Sequence, residues 1–442
     1  MFRYITIIFL FILPAEILFA FCGFYVAKAD ASLFNKASRV VLVRNENKTV
    51  ITMMNDYKGE LKDFAMVIPV PVILQKDQVH VGEAKVVDHI DGYSAPRLVE
   101  YFDENPCDRR RYEMEKASAD SVRPAPSQSQ NKPSNNQGVT VEATYTVGEY
   151  DIVILSAKYS NGLEDWLIQN GYKIPKGASV ALKPYINQKM KFFVAKVNLK
   201  EQSKSGLTFL RPLQFAMESQ KFMLPIRLGM INAQGDQDLL LYVLTKNGRV
   251  ETTNYRTIQL PSNLEVPMFV KKEFANFYRD MFANQVQKEN GRAVFTEYVW
   301  NMGWCDPCAS EPLSKDELQS LGVFWLNDNE QKNPWNGGAM PVMITRLHIR
   351  YNNDTFPEDL MFQETKDTNN YQGRYILHHP WTGNRNECSE AETYFQNLSK
   401  REEARAKNLV MLTGWDLNTV HKKMNFTPST KQDNKWWKKI WK

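Results

Sequence analysis

An apolar run at the very start of the chain constrains everything after it. Ile5 to Leu13 follows a single positive charge at Arg3 and is broken by Pro14, with small residues at Ala15, Ala20, Ala27 and Ala29. That order is the layout of a secretory signal peptide. The rest of the chain is therefore expected outside the cytoplasm, periplasmic or secreted, where cysteines are read first as disulfides. The competing arrangement, an uncleaved anchor from Ile5 to about Val26, places Glu16 near the bilayer centre. There an acidic residue costs on the order of 2.5–3.5 kcal/mol. A lipid-anchored start at Cys22 is disfavoured, because Phe21 stands where lipoprotein signals carry a small residue. Cleavage after Ala20 leaves a signal of ordinary length. Cleavage after Ala29 has the better small-x-small pattern and removes Cys22, leaving an even number of thiols.

About 420 mature residues suffice for two or three domains or one large one. With 43% apolar and 12% aromatic residues, a filled core is accessible and global disorder is excluded. The net charge of +5 is unevenly placed: residues 421–442 carry seven lysines and one aspartate, so the remainder is close to neutral. No basic stripe or stacking platform points to nucleic acid, and no nucleic-acid partner is expected.

The element pattern is that of a strand-rich α+β fold with inserted amphipathic helices. Arg39 to Arg44 and Thr49 to Met54 flank turn residues and predict a hairpin. Phe64 to Leu74 reads as extended, with Pro69 and Pro71 confining its second half to an edge or non-ladder position. Ser94 before Pro96, with Leu98, Val99 and Phe102, predicts a short capped helix. Residues 117–139, rich in Ser, Asn, Gln and Pro, cannot bury enough surface to offset their ordering entropy and predict a surface loop. Strands are expected at 140–147, 150–159, 191–197, 222–229, 238–245, 250–260, 294–300 and 343–351. Helices are expected around Leu163 to Leu167, over 270–291, after the Ser314-x-x-Glu317 capping box, and from a second box at Ser389-x-x-Glu392 to about Leu412. The organisation is a signal at 1–20, a strand-rich domain at 21–290, an α+β part at 291–416 and a basic tail at 417–442.

Trp304-Cys305-Asp306-Pro307-Cys308 is the sharpest motif. It resembles the W-C-x-P-C site of thioredoxin-like oxidoreductases, in which the first thiol attacks disulfides. On that alternative Cys305 is the nucleophile, Cys308 the resolving thiol, and Pro341 the packing proline. The 32 residues between Cys308 and Pro341 leave too little chain for the helices and strand that fold requires. A structural disulfide is the favoured expectation, with Cys22, Cys107, Cys305, Cys308 and Cys388 all candidates for pairing. A second alternative is a metal-dependent hydrolase. Cys305 and Cys308 have zinc-ligand spacing, with nitrogen from His348, His378 or His379, but the histidines lack H-x₃₋₅-H spacing.

Acidic pairs such as Glu358-Asp359 and the run Arg109 to Arg111 read as solvated charge. The nucleophile elbow, the phosphate-binding glycine loop, H-E-x-x-H and the dinucleotide fingerprint are absent, and no cofactor is expected. The chain ends on Lys435, Trp436, Trp437, Lys438, Lys439, Ile440, Trp441 and Lys442. That composition suits weak contact with an anionic membrane surface.

Several blocks together carry a family likeness: Phe21 to Ala31, Phe64 to Val72, Ala95 to Cys107, Met190 to Val197, Phe222 to Gly229, Trp304 to Cys308, Thr345 to Tyr351 and Phe356 to Thr365. In order, they resemble the bacterial exported proteins of the domain of unknown function 2330 family, from about Phe21 to Asp416. The resemblance implies export. It brings no activity and no active-site residues. Because the block from Phe21 looks like mature sequence, it favours cleavage after Ala20. The expectation is an exported bacterial protein acting as a non-catalytic envelope or binding component.

Overall fold

The structure is a computed structural model that describes residues 24–27, 34–58, 64–108, 140–157, 159–172, 177–205, 210–232, 235–304, 306, 310–326 and 340–425. In chain order the first half contains β1 (Phe24–Ala27), β2 (Phe34–Asn45), β3 (Lys48–Lys58), β4 (Phe64–Val70), β5 (Val79–Val81), α1 (Ala84–Ser94) and β6 (Arg97–Phe102). Then follow β7 (Thr140–Val147), β8 (Tyr150–Ser156), α2 (Ser160–Gln169), α3 (Ala178–Asn187), β9 (Lys191–Val197), α4 (Leu199–Ser205), β10 (Leu213–Glu218) and β11 (Met223–Leu224). The second half has β12 (Gln237–Thr245), β13 (Val250–Thr252), β14 (Arg256–Gln259), β15 (Leu264–Glu265), α5 (Phe274–Lys288), β16 (Ala293–Asn301) and α6 (Lys315–Ser320). It closes with β17 (Met343–Tyr351), β18 (Leu360–Glu364), β19 (Tyr371–Gln372), β20 (Arg374–His379), α7 (Ser389–Thr413) and α8 (Leu417–Met424). The fold is strand-rich α+β.

Two large sheets face each other. One has the order β1-β4-β9-β8-β7; the other runs β14-β16-β17-β12-β2-β3-β10-β5, with β19 beside β16. Strands from either side of residue 290 thus hydrogen-bond into a single sheet. Alternation along each strand decides which side chains meet. Val40, Leu42, Ile51 and Leu241 of the larger sheet interdigitate with Met66, Ile68, Ile154 and Phe193 of the smaller. The opposite face of the smaller sheet is covered by Leu163, Leu167, Leu182 and Tyr185 of α2 and α3. The opposite face of the larger sheet is covered at its centre by Val86, Val87 and Ile90 of α1 and by Leu318 of α6. Towards the β16 edge, α5, α7 and α8 pack over Phe295 and Tyr375. The facing sheet on one side and helices on the other thus cover the central strands of both large sheets, which therefore tolerate near-continuous hydrophobic runs.

Most predicted elements are present. Pro69 sits in β4 opposite Phe192 of β9, beyond the stretch Phe64–Val67 that pairs with β1, so β4 is an edge on that side where the proline falls. Three expectations need correction. Ser94 does not start a helix: it closes α1, with its Oγ donating to Ile90 O at 2.6 Å, and Arg97–Phe102 is instead a strand paired in parallel with β20. The expected strand at 222–229 shortens to Met223–Leu224, because Pro225 cannot donate to a ladder and a 3₁₀ turn follows at Arg227–Asn232. The capping box at Ser389 does not form; Cys388 occupies the N-cap position and Ser389 Oγ bonds Glu390. By contrast, Ser314 and Glu317 make both bonds of theirs. Residues 109–139 lie outside the described residues, and with them the loop 117–139 and Arg109 to Arg111.

Cys107 and Cys388 are joined in a disulfide with Cα atoms 5.9 Å apart, 281 residues apart in sequence. It fastens the start of α7 to the segment after β6. Of the cysteine candidates, Cys22, Cys305 and Cys308 lie outside the described residues. Since Cys107 and Cys388 take each other, neither is left as a partner for Cys305 or Cys308.

Candidate functional site

Two polar regions occupy the helix-covered face of the larger sheet. The first is centred on Glu297, which lies where the β16–β17 register shifts between Thr296 and Tyr298. A bulge of this kind turns an extra side chain onto a face where alternation would not place it. Glu297 is fully buried. Its Oε2 accepts from Arg346 Nε at 2.6 Å; its Oε1 lies 2.8 Å from His348 Nδ1 and accepts from the Tyr278 hydroxyl of α5. Arg346 continues outward to Asp91 of α1, donating from Nη1 to Oδ1 at 2.7 Å and to the backbone carbonyl at 2.8 Å. Tyr242 also donates to Asp91 Oδ1, at 2.8 Å. Arg350 holds Asp238 through two bonds of 2.7 and 2.6 Å. His348 stacks on Phe282 with ring centroids 3.6 Å apart.

The electrostatics follow from this pairing. Burial alone pushes the Glu297 carboxyl up, but the charges of His348 and Arg346, with hydrogen bonds from His348 and Tyr278, outweigh it and bring its pKa down to about 2. Burial opposes the charge on Arg346 too, yet Tyr242, Glu297 and Asp91 hold its pKa above the ordinary value. Burial, reinforced by Glu297, keeps the Tyr278 hydroxyl well above its usual range, so it remains a donor. This is a fully partnered ionic network.

The second region is an open trough at the β5 end of the same face. Two adjoining hollows of about 640 and 360 Å³ share His80, Gln214 and Gln319. Its floor is a cross-strand row, His80 of β5 opposite Gln214 of β10, which lies opposite Thr52 of β3. One wall is α6 and the turn after it, with Gln319, Ser320 and Phe324; the other is the run Gly82 to Lys85. Gln214 Nε2 ties floor to wall, donating to Thr52 Oγ1 at 2.7 Å and to Ser320 O at 3.0 Å. Glu317 pins α6 to α1 through His89 Nδ1 at 2.8 Å. Gly322 has φ +95°, and a Cβ there would lie 2.5 Å from Val50, so the turn beneath Phe324 requires glycine.

The positions singled out from sequence are placed unevenly. His348 joins the Glu297 network; His378 and His379 end β20 beside Asp103 and Glu100, with His379 Nε2 2.6 Å from Glu100 Oε2. The three are not brought together. Among the described residues, no group of three or more His, Cys, Asp or Glu side chains is placed to hold a metal ion. Asp306, between Cys305 and Cys308, accepts from the Tyr298 hydroxyl at 2.7 Å, and Trp304 is exposed. Asp359, expected to be solvated, is buried; its Oδ1 accepts from Tyr185 at 2.6 Å and from the Ile226 N–H at 2.9 Å. Glu297, Tyr278 and the trough residues were not anticipated. One signal was available: Arg346, His348 and Arg350, spaced by two in an apolar strand, mark one charged face.

Fold and site together define a layered, strand-rich α+β protein in which a buried ionic network and an open polar trough share the same sheet. The chain belongs to the family described as an uncharacterized protein conserved in bacteria, domain of unknown function 2330, which matches residues 17–363. No curated protein and no solved structure matches the chain. The family match stops before α7, the helix whose start the disulfide anchors.

Proposed function

We propose that the protein is an extracytoplasmic bacterial binding component, exported by its N-terminal signal and using the trough at the β5 end as its binding surface. The observation that carries this reading is the Cys107–Cys388 disulfide. Such a bond persists in oxidising compartments and is rare in the cytosol. Cleavage after Ala20 is supported by β1: Phe24–Ala27 pairs with Phe64–Val67, and a cut after Ala29 would remove that strand. The trough supplies the binding function, since its volume falls in the range of about 300–1,000 Å³ typical of small-ligand sites. The basic, tryptophan-rich end, Lys435 to Lys442, adds a reversible contact with anionic membrane surface. Among the described residues no helix is long and apolar enough to cross a membrane.

The test is to fractionate expressing cells, sequence the N-terminus of the recovered protein, and map its disulfides without reduction. The expected result is extracytoplasmic protein beginning at Phe21 with the Cys107 and Cys388 peptides linked. Cytoplasmic protein retaining Met1 with both thiols free would overturn the proposal.

A second reading, thiol–disulfide exchange at Cys305 and Cys308, is favoured by the exposed Trp304 and the anchored Asp306 beside them. Its check is reduction of insulin by the purified protein. Turnover abolished by Cys305→Ser would establish it; no turnover sends the pair back to a structural role.

A further inference from the structure

We infer that the ligand of the trough is a neutral, polyhydroxylated chain, an oligosaccharide, with one sugar ring laid against Phe324. This rests on the binding role proposed above and names the class of molecule bound.

The cations around the trough are already engaged. Arg211 donates through Nε and Nη2 to Glu149 Oε2 at 3.0 and 2.7 Å, and Lys85 lies 2.7 Å from Glu83. Among the described residues that line the trough, each lysine and arginine already has a carboxylate partner, which disfavours a phosphate or carboxylate ligand. The remaining polar groups lean towards acceptance. Gln214 spends its amide nitrogen on Thr52 and Ser320, so what it offers is its carbonyl oxygen. Asp77 presents a carboxylate, exposed Gln319 turns an Nε2 hydrogen to Leu326 O at 3.4 Å and offers its carbonyl oxygen, and exposed His80 offers one acceptor nitrogen beside one donor.

An acceptor-rich trough selects a ligand that donates many hydrogen bonds. Hydroxyl groups spaced along a sugar chain meet that demand. At one end Phe324 stands 43% exposed, held edge-on by Trp325 with centroids 5.2 Å apart. An exposed, braced aromatic face suits the apolar C–H face of a pyranose ring. The two adjoining hollows, about 640 and 360 Å³, have room for more than one ring, which points to a chain rather than a monosaccharide.

The experiment titrates exported protein with hexamers of N-acetylglucosamine, of β-1,4-glucose and of α-1,4-glucose, by calorimetry and by tryptophan fluorescence. A lysine–alanine–lysine tripeptide serves as the cationic probe. At least one hexamer is expected to bind, with its monosaccharide binding at least tenfold more weakly. Phe324→Ala and Gln319→Ala, both on exposed side chains, are each expected to weaken binding about tenfold while leaving the melting temperature unchanged. The inference is overturned if no hexamer binds, if both variants bind as the wild type does, or if the tripeptide alone binds. None of those results alters whether the protein is exported and disulfide-linked, which fractionation decides separately.

Discussion

The Glu297 network and the β5 trough lie on one face of one sheet, yet they treat polar side chains in opposite ways. At β16 and β17 each charge meets its complement: Glu297 lies between Arg346, His348 and Tyr278, and Arg346 runs on to Asp91. In the trough the floor is the imidazole of His80 and the amide of Gln214, whose nitrogen is spent on Thr52 and the wall, while the charged groups Asp77, Glu83, Lys85 and Arg211 stand at its margins. What differs is the cover. Helices α1 and α5 close over the first region, so any unpaired charge there would carry the full desolvation cost. Over the second, α6 and its turn stand aside as a wall, and unpaired groups cost little. A buried, complete network holds elements together; an open, incomplete one is free to bind.

The largest expected effect comes from unbalancing the buried region. Arg346→Leu leaves Glu297 and Asp91 without their shared cation, and the loss should be about 3–5 kcal/mol. Urea denaturation followed by tryptophan fluorescence measures it; a wild-type midpoint would show that the network contributes nothing to folding. Next comes the disulfide, which belongs to neither region. Cys388→Ser should cost about 2–4 kcal/mol, with amide exchange rising first at the start of α7. Uniform acceleration over the whole chain would place the bond's effect elsewhere. On the trough side, Gly322→Ala should cost about 1–3 kcal/mol, because φ is +95° and Val50 fills the space a methyl would need. Calorimetric melting reports it, and an unchanged transition would mean the wall is more pliable than its geometry implies.

Acid sharpens the comparison with a smaller effect. Glu297 titrates lower in the folded protein than unfolded, so its contribution is fully present above the ordinary carboxylate range near 4.5 and is lost as pH falls towards about 2. Asp359 and Glu364, raised chiefly by burial, work in the opposite sense and soften the loss. Urea midpoints should therefore fall between pH 5 and pH 2.5, and Glu297→Gln should flatten that fall. An equally steep acid dependence in the variant would assign it to other carboxylates.

The strand framework was legible because hydrophobic alternation and turn residues act locally. β2, β3, β9, β12, β16 and β17 lie close to where the residue pattern places them. Ser94 misled because a serine before a proline reads equally as the end of one helix and the start of another, and only pairing with β20 settles the following residues as a strand. Of the buried network, the period-two spacing of Arg346, His348 and Arg350 was visible, but Glu297 was hidden inside what reads as an ordinary strand. Its inward turn depends on a bulge, which is a property of two strands rather than one. The trough was invisible for the same reason: His80, Gln214 and Gln319 are unremarkable until β5, β10 and α6 are brought together.

The most direct test compares two carboxamide changes in one experiment: urea unfolding and hexasaccharide titration of Glu297→Gln and Gln319→Ala beside the wild type. The account predicts that Glu297→Gln lowers the unfolding midpoint and leaves affinity intact in the protein that remains folded. Gln319→Ala should leave the midpoint in place and weaken binding. If instead Glu297→Gln unfolds with the wild type and abolishes binding, the buried network is the functional site and the division drawn between the two regions is wrong.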